Sequence, residues 1–230
     1  MGPVTREALQ TRERIVEAAR YLFWERGYGA TSVSEILARA EANSGSFYHF
    51  FESKESLLRV VLETYLEGLE PAIVGPARGS AADPIERIFA ILAGYRERLI
   101  STHCHYGCPL GRLALEVDPE NRPAHRLIAR NFEAWRGAIR SFLEEGAALL
   151  PGDLDREGLA TLVLSVMEGG VMQSRAAGEP HPFDRSVAQL RDYFQRLLSS
   201  PARSNPPLSP QARMRPKSRT STQSTRRPTR

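Results

Sequence analysis

The sequence contains few cysteines and no long apolar run. Only two of its 230 residues are cysteines, and Cys104 and Cys108 lie four positions apart, a spacing that suits one helix face better than a staple for a fold of this size. No stretch of about 18 uncharged apolar residues occurs, and no apolar segment follows the charged N-terminus. We therefore expect a cytoplasmic protein with no membrane span, no secretory signal and no disulfide framework.

Acidic residues are absent from the end of the chain, and this absence explains a high isoelectric point. From residue 201 onward there are eight basic side chains and no acidic one, whereas the rest carries 23 basic and 27 acidic side chains. The isoelectric point near 9.3 is therefore a property of the tail. Residues 200–230 are rich in Ser, Thr, Pro and Arg, so we predict a disordered basic tail. A nucleic-acid partner has to be inferred from a motif, since overall charge does not indicate one.

Alternating strand patterns are missing as well, and the helical spacing of apolar residues predicts an all-α fold. A long first helix should end at Gly27. Good N-cap residues at Ser32, Asn43 and Ser53 predict two short helices and a fourth that runs to about residue 69. A stretch rich in Gly, Pro and Ala should then interrupt the helical pattern. Beyond this interruption we expect helices near residues 84–99, 121–149, 155–176 and 184–198.

Three helices, of which the second and third are short and about four residues apart, are the outline of a helix-turn-helix, whose last helix enters the major groove of DNA. Four submotifs strengthen this outline. In chain order they are Phe23-Trp24-Glu25-Arg26-Gly27-Tyr28, Thr31-Ser32-Val33-Ser34-Glu35-Ile36-Leu37-Ala38, Gly45-Ser46-Phe47-Tyr48-His49-Phe50-Phe51 and Ser53-Lys54-Glu55-Ser56-Leu57-Leu58. In this order and spacing they resemble the TetR family of bacterial repressors.

The resemblance implies an N-terminal three-helix DNA-binding domain at residues 1–60, which a fourth helix to about residue 70 connects to the rest. It also implies a C-terminal helical domain for effector binding and dimerisation at residues 71–199. The protein would be a dimeric repressor that binds a palindromic operator in double-stranded DNA and is released by an unknown small-molecule effector. The family is not enzymatic, and the resemblance implies no catalytic residue, metal or cofactor.

The resemblance also assigns residues to DNA contact. Tyr48, Lys54 and the capping Ser32 would bind phosphates, whereas His49 and the serines of the third helix would face base edges. Gly45 would let the backbone come close to the groove. Apolar positions would pack the three helices together, namely Val33, Ile36, Leu37 and Phe47 with Phe23 and Phe51. The full predicted DNA-binding set is Ser32, Ser34, Ser44, Gly45, Ser46, Tyr48, His49 and Lys54.

One stretch of the helix-turn-helix departs from the family pattern. Where the family usually has A-G-V-S-[KR], this chain has Ala40-Glu41-Ala42-Asn43-Ser44. The customary glycine permits a positive φ, so Glu41 should cost about 1 kcal/mol or use a different turn. It also places a carboxylate near the DNA backbone, in a segment (residues 1–60) with eight basic and eight acidic side chains. We expect modest operator affinity, which the basic tail could raise by attraction to phosphates.

The later helices are predicted to supply the dimer interface and an effector pocket. A four-helix dimer seam would use Leu159, Leu162, Val163, Val166 and Met167 with Val187, Leu190, Tyr193, Phe194 and Leu197. Aromatic, apolar and sulfur-containing residues of the same region could line an apolar ligand pocket, as they could equally form plain core. The predicted pocket residues are Tyr95, Leu99, Cys108, Leu113, Phe132, Trp135, Met167 and Met172.

The segment from His103 to Gly111 combines two histidines and two cysteines and leaves several interpretations open. It could be a turn with a buried thiol, a metal site, or a thiol sensor for electrophiles that uses Cys108. The His and Cys spacing matches no closed zinc site, so we predict no metal. An enzymatic role has no support, because no partnering acid motif, phosphate-binding loop or G-x-S-x-G is present. A further alternative is a non-specific DNA-binding protein that uses its basic tail.

Overall fold

A computed structural model of the protein describes residues 6–199, so the predicted basic tail lies outside the described residues. Within this range the regular structure is helical and contains no strand. The α-helices are α1 (Arg6–Glu25), α2 (Val33–Ala40), α3 (Ser44–Phe50), α4 (Lys54–Leu69), α5 (Gly75–Ser80), α6 (Pro84–Ser101), α7 (Pro109–Glu116), α8 (Arg122–Glu145), α9 (Arg156–Ala177) and α10 (His181–Ser199). The predicted all-α fold is confirmed.

The ends of the helices follow the capping residues in the sequence. Gly27 has a φ of 96°, which glycine adopts without the penalty of a β-carbon, and it closes the turn after α1. The side chains of Asn43, Asp83 and Asp155 each accept a hydrogen bond from a backbone N–H in the first turn of the helix that follows. Gly178, with a φ of 72°, ends α9.

The Gly, Pro and Ala stretch after α4 stays helical, contrary to the predicted interruption. A π-helical turn at Glu70–Val74 leads directly into α5. Pro71 and Pro76 lack the backbone N–H that would continue the i→i−4 pattern, and the Gly75 N–H instead donates to the oxygen of Glu70, five residues back. The stretch therefore continues the helix, with a wider turn at residues 70–74, and is not a loop.

Other features of the C-terminal helices differ from the predictions. No helix was predicted between residues 99 and 121, but Pro109 begins α7 because proline fits the first position of a helix. The two cysteines do not share a helix face: Cys104 lies in the turn after α6, and Cys108 is the N-cap residue of α7. The end of α8 at Glu145, before a short 3₁₀ turn, and the start of α10 at His181 differ from the predictions by a few residues.

The hydrophobic core runs continuously from α1–α3 into the later helices. The long helix α4 packs both against α1 and against α8, and α8 in turn packs against α9, which lies against α10. Asn131 of α8 is a buried polar residue whose amide donates hydrogen bonds to the backbone oxygens of Leu62 (3.0 Å) and Leu127 (2.9 Å). This amide ties α8 to α4, the helix that connects the two ends of the molecule.

Candidate functional site

The turn into α2 is built by reciprocal hydrogen bonds around Ser32. Its hydroxyl accepts from the backbone N–H of Glu35 at 3.2 Å, and the Glu35 carboxylate accepts from the backbone N–H of Ser32 at 2.8 Å. Arg26 holds the same carboxylate by an ion pair at 3.0 Å, and the Ser34 hydroxyl lies 2.9 Å from that of Ser32. Both serines are exposed. The capping box therefore presents two hydroxyls to solvent at the N-terminal end of α2.

Helix α3 presents polar side chains on one face and buries Phe47 on the other. Ser44, Gly45 and His49 are exposed, and the side chain of Tyr48 is 65% exposed. A β-carbon built on Gly45 would meet only the Asn43 side chain, at 3.3 Å, so the backbone here is open to approach from outside. An exposed helix with small side chains, a glycine and a protruding aromatic hydroxyl fits the major groove of DNA.

Helices α1–α3 are here named the reading head, and the main members of their predicted core are buried. Ile36, Phe47, Phe23 and Phe51 are each at most 2% exposed. Val33 and Leu37 are partly buried and pack against the same cluster. Ser46 is half-buried, and its backbone N–H donates to the Asn43 side chain at 2.8 Å. The exposed polar residues of α3 thus lie over a buried apolar cluster.

Lys54 makes more contacts within the protein than the sequence suggested. Its ammonium donates to the backbone oxygens of Tyr28 and Thr31, both at 2.8 Å, and lies 4.2 Å from the centre of the Tyr28 ring. Burial lowers the pKa of Lys54 from its ordinary value. Two of its three donors therefore hold the loop between α1 and α2, and one remains for a phosphate.

Glu41 occupies the left-handed conformation that the family pattern assigns to glycine. Its φ is 49° and its ψ is 47°, and its backbone N–H donates to the oxygen of Ala38 at 3.4 Å. Arg14 of α1 donates from Nε to the backbone oxygen of Ala40 at 3.0 Å and fixes the same turn. The chain therefore keeps the usual turn and accepts the strain of a side chain at this position.

Replacing Glu41 by glycine should stabilise the protein by about 1 kcal/mol, because glycine adopts this φ and ψ without a β-carbon clash. Operator affinity should also rise, since a carboxylate beside the DNA backbone is lost. Urea unfolding and a DNA mobility-shift titration measure the two effects. The control Glu41→Gln keeps the strain and removes only the charge, so it should raise affinity without the gain in stability. A Glu41→Gly protein less stable than the parent would contradict this explanation.

The end of α1 is held by residues of α7 and the loop before it, which the sequence analysis did not identify. The Arg112 guanidinium donates to the backbone oxygens of Trp24, Glu25 and Arg26 and pairs with Glu116 at 2.6 Å. No sequence signal indicated this contact, because its partners are more than 80 positions apart in the chain.

Three further hydrogen bonds join residues 106–116 to the end of α1 and the loop after it. The indole N–H of Trp24 donates to the backbone oxygen of Gly107 at 2.7 Å, and the Tyr106 hydroxyl donates to the Glu25 carboxylate at 3.0 Å. The Glu116 carboxylate accepts from the backbone N–H of Gly29 at 3.4 Å. The segment of residues 106–116 is therefore bonded directly to the end of the first helix of the reading head.

The predicted pocket residues divide into three groups. A cavity of about 350 Å³, here named the α4–α6 cavity, is lined by Tyr95, Trp135 and Cys108 together with Tyr65 of α4. A second, of about 410 Å³ and here named the α7–α9 cavity, is lined by Cys108, Phe132, Met172 and Glu168. The rest of the predicted set lies in the core at 2% exposure or less and lines neither cavity, namely Leu99, Leu113 and Met167.

Cys108 stands between the two cavities and is 6% exposed. Burial, followed by the neighbouring Glu168 carboxylate, raises the pKa of the Cys108 thiol well above its ordinary value. Burial also raises the pKa of Cys104, which is 2% exposed. Because the thiolate is the reactive form, this setting argues against a thiol sensor that uses Cys108.

The His103 to Cys108 cluster forms a strained turn. His103 and Cys104 have φ values of 49° and 58°, and the Cys104 backbone N–H donates to the oxygen of Leu99 at 2.7 Å. Among residues 6–199, no group of three or more His, Cys, Asp or Glu side chains is arranged to hold a metal ion. In the same range no helix is long and apolar enough to cross a membrane.

The predicted dimer seam is partly core and partly open surface. Leu159, Val163, Met167, Leu190 and Phe194 are buried within the protomer. Val166, Val187 and Leu197 are partly buried. Leu162 and Tyr193 remain 43% and 42% exposed, and they line an open groove of about 530 Å³ between α9 and α10.

Comparisons with known proteins agree with this architecture. The family model described as bacterial regulatory proteins of the tetR family matches residues 15–61. A second model, described as the Tetracyclin repressor-like C-terminal domain, matches residues 84–190. The solved structure of CifR, a TetR family transcriptional regulator complexed with 26-bp operator DNA, superposes with a TM-score of 0.67 at 24% identity, over 80% of this chain and 94% of that one. The fold is therefore shared with TetR-type regulators.

Curated relatives extend the similarity to nearly their whole lengths. The HTH-type transcriptional regulator Rv0196 of Mycobacterium tuberculosis is 31% identical over 199 residues, which are 84% of this chain and 97% of the relative. The HTH-type transcriptional repressor DhaR of Mycobacterium sp. (strain GP1) is 28% identical over 191 residues, 82% of this chain and 93% of the relative. The chain belongs to the TetR family of DNA-binding transcriptional regulators, which are not enzymes.

Proposed function

We propose that the protein is a homodimeric repressor that binds a palindromic operator and is released by a small-molecule effector. The observation that carries the proposal is the exposed polar face of α3, held on a buried Phe47 and flanked by the hydroxyls of Ser32 and Ser34. The names of relatives support the direction of control, since DhaR is a repressor and CifR was solved on operator DNA. Such a protein acts in the cytoplasm, where bacterial DNA lies.

The division of labour along the chain follows from the same features. Residues 1–60 read DNA, α4 connects, and residues 71–199 carry the dimer face and the effector cavities. In this proposal Tyr48 and Ser32 contact phosphates, Lys54 adds its third donor, and Ser44, Ser46 and His49 face base edges. Two-fold symmetry presents two copies of α3 to half-sites about one helical turn apart, which is why a dimer is needed.

The effector acts by thermodynamic linkage. A ligand that binds more tightly to protomers whose α3 helices are wrongly spaced for DNA lowers operator affinity by that difference in binding free energy. Both described cavities lie beside residues 106–116, which hold the end of α1. A ligand in either cavity therefore lies beside residues that contact the end of α1, the first helix of the reading head.

Replacing Tyr48 by alanine should weaken operator binding at least about tenfold, because two copies of a hydrogen bond to phosphate are lost from the dimer. The test is DNase footprinting of the DNA upstream of the protein's own gene, where the parent protein should protect a palindromic site. Tyr48 is 65% exposed, so folding should be unaffected. The control Leu149→Ala, at another exposed position, should leave the footprint unchanged. Uniform, salt-sensitive coating of the DNA without a palindromic site would overturn the proposal in favour of non-specific binding.

A further inference from the structure

The α7–α9 cavity contains a carboxyl group in a mainly apolar setting. Its wall is formed by Phe132 of α8, Val171 and Met172 of α9 and the face of α7, and Glu168 of α9 lines the same space. The volume of about 410 Å³ lies within the range of small-molecule sites. Arg112, Glu116 and Arg175 also line it, so an apolar wall is combined with a few charged groups, as is usual in sites that orient an amphipathic ligand.

Glu168 is half-buried in this cavity and, among residues 6–199, has no cationic partner within ion-pair distance. Its carboxyl packs against α7 so closely that a β-carbon on Gly111 would lie 2.6 Å from Oε2. Burial raises the pKa of the Glu168 carboxyl, and the Cys108 thiol lines the same cavity. Among residues 6–199, no Lys, Arg or His forms an ion pair with it. A half-buried carboxylate without a cation is costly in its charged form, so a ligand that supplies an ammonium group would stabilise that form.

The two arginines that line the cavity do not take this role. Arg112 is committed to three backbone oxygens and to Glu116. Arg175 is exposed, and the Cδ of its side chain would lie 3.6 Å from a β-carbon on Gly107. Neither guanidinium therefore forms an ion pair with Glu168, and Arg175 is exposed to solvent. A flat hydrophobic group would pack on Phe132 and Met172 while its ammonium meets Glu168, and the face of the Phe132 ring favours a cation as well.

We propose that the α7–α9 cavity binds organic cations, namely aromatic or hydrophobic amines whose ammonium group pairs with Glu168. The proposal deepens the proposed function and rests on it in one respect, since such an amine would be the effector that releases the operator. The site adjoins Arg112, which holds the end of α1. A ligand in the cavity would therefore change the position of α1 and of the reading head.

The test uses three probes that share a naphthalene ring and differ in charge: 1-naphthylmethylamine, 1-naphthylmethanol and 1-naphthoic acid. Calorimetric titration of the full-length protein should show the amine binding at least about tenfold more tightly than the alcohol, as expected for a hydrogen bond to a charged group. Glu168→Gln should remove this preference by weakening the amine alone. Thermal unfolding of the variant without ligand checks that it is folded.

Two control variants locate the effect. Tyr65→Phe changes the lining of the α4–α6 cavity alone, and Glu179→Gln removes an exposed carboxylate beyond the end of α9. Both should keep the preference for the amine. Tighter binding of naphthoic acid, an unchanged preference in Glu168→Gln, or a preference lost in Tyr65→Phe would each overturn the proposal.

Release of the operator is scored separately by mobility shift. An amine that binds through Glu168 without releasing DNA leaves the cation site standing and contradicts the ligand-responsive function. Release by the alcohol or the acid, with no binding of the amine at Glu168, supports the ligand-responsive function and overturns the cation site. The two failures are therefore distinguishable.

Discussion

Replacing Leu162 by glutamate should convert the protein to a monomer and weaken operator binding by more than about a hundredfold, because two linked half-site contacts become independent. Leu162 lies on α9, is 43% exposed in the protomer and faces the groove beside Tyr193 of α10. In a two-fold dimer built on this face, residue 162 of one protomer lies in the seam with its copy nearby. Two carboxylates would then be buried without partners.

The protomer itself should tolerate this change, because the side chain is solvent-exposed and the neighbouring core residues Leu159 and Val163 are untouched. Light scattering coupled to gel filtration measures the mass, and a mobility-shift titration measures affinity. Leu149→Glu introduces the same charge at a leucine that is 51% exposed and lies outside the α9–α10 groove, so it should remain dimeric. A Leu162→Glu protein that stays dimeric with full affinity would place the dimer interface elsewhere.

The reading head was predictable because its signals are local. Capping residues such as Ser32, Asn43 and Ser53 fix helix starts within three positions of themselves, and apolar spacing identifies the buried face of each helix. The strain at Glu41 was predictable for the same reason, since a turn of fixed geometry requires a positive φ. The helical turns near Pro71, Pro76 and Pro109 were missed although the helix at Pro84 was predicted, because proline both ends and begins helices.

The two cavities were only partly predictable, because core and cavity walls use the same residue types. Leu113 and Met167 pack in the core, whereas Phe132 and Met172 line the α7–α9 cavity, and composition does not separate them. Glu168 was missed, although a single carboxylate between Met167 and Val171 on a mainly apolar helix was a usable signal. The contacts between α1 and α7 could not be predicted from the sequence, since they join residues far apart in the chain.

Replacing Arg112 by alanine should destabilise the protein by about 2–4 kcal/mol, which is the second large effect we expect. The last turn of α1 contains no basic residue, so the negative end of this helix receives its cation from α7. The Arg112 side chain is only 17% exposed, and removal of its guanidinium also leaves the more exposed Glu116 carboxylate without its ion-pair partner. It also leaves three backbone oxygens at the end of α1 without their donor.

Urea unfolding gives the total loss, and hydrogen exchange should show faster exchange concentrated around the junction of α1 and α2. The matched control is Arg140→Ala, whose guanidinium pairs with two exposed carboxylates, Glu144 and Glu157, and should cost less than about 1 kcal/mol. Glu116→Gln combined with Arg112→Ala should recover part of the loss, because the unpaired charge is then absent. A loss in Arg112→Ala no larger than in Arg140→Ala would mean that α7 does not hold the end of α1 in solution. The cavity beside α7 would then have no direct mechanical connection to the DNA-reading helices.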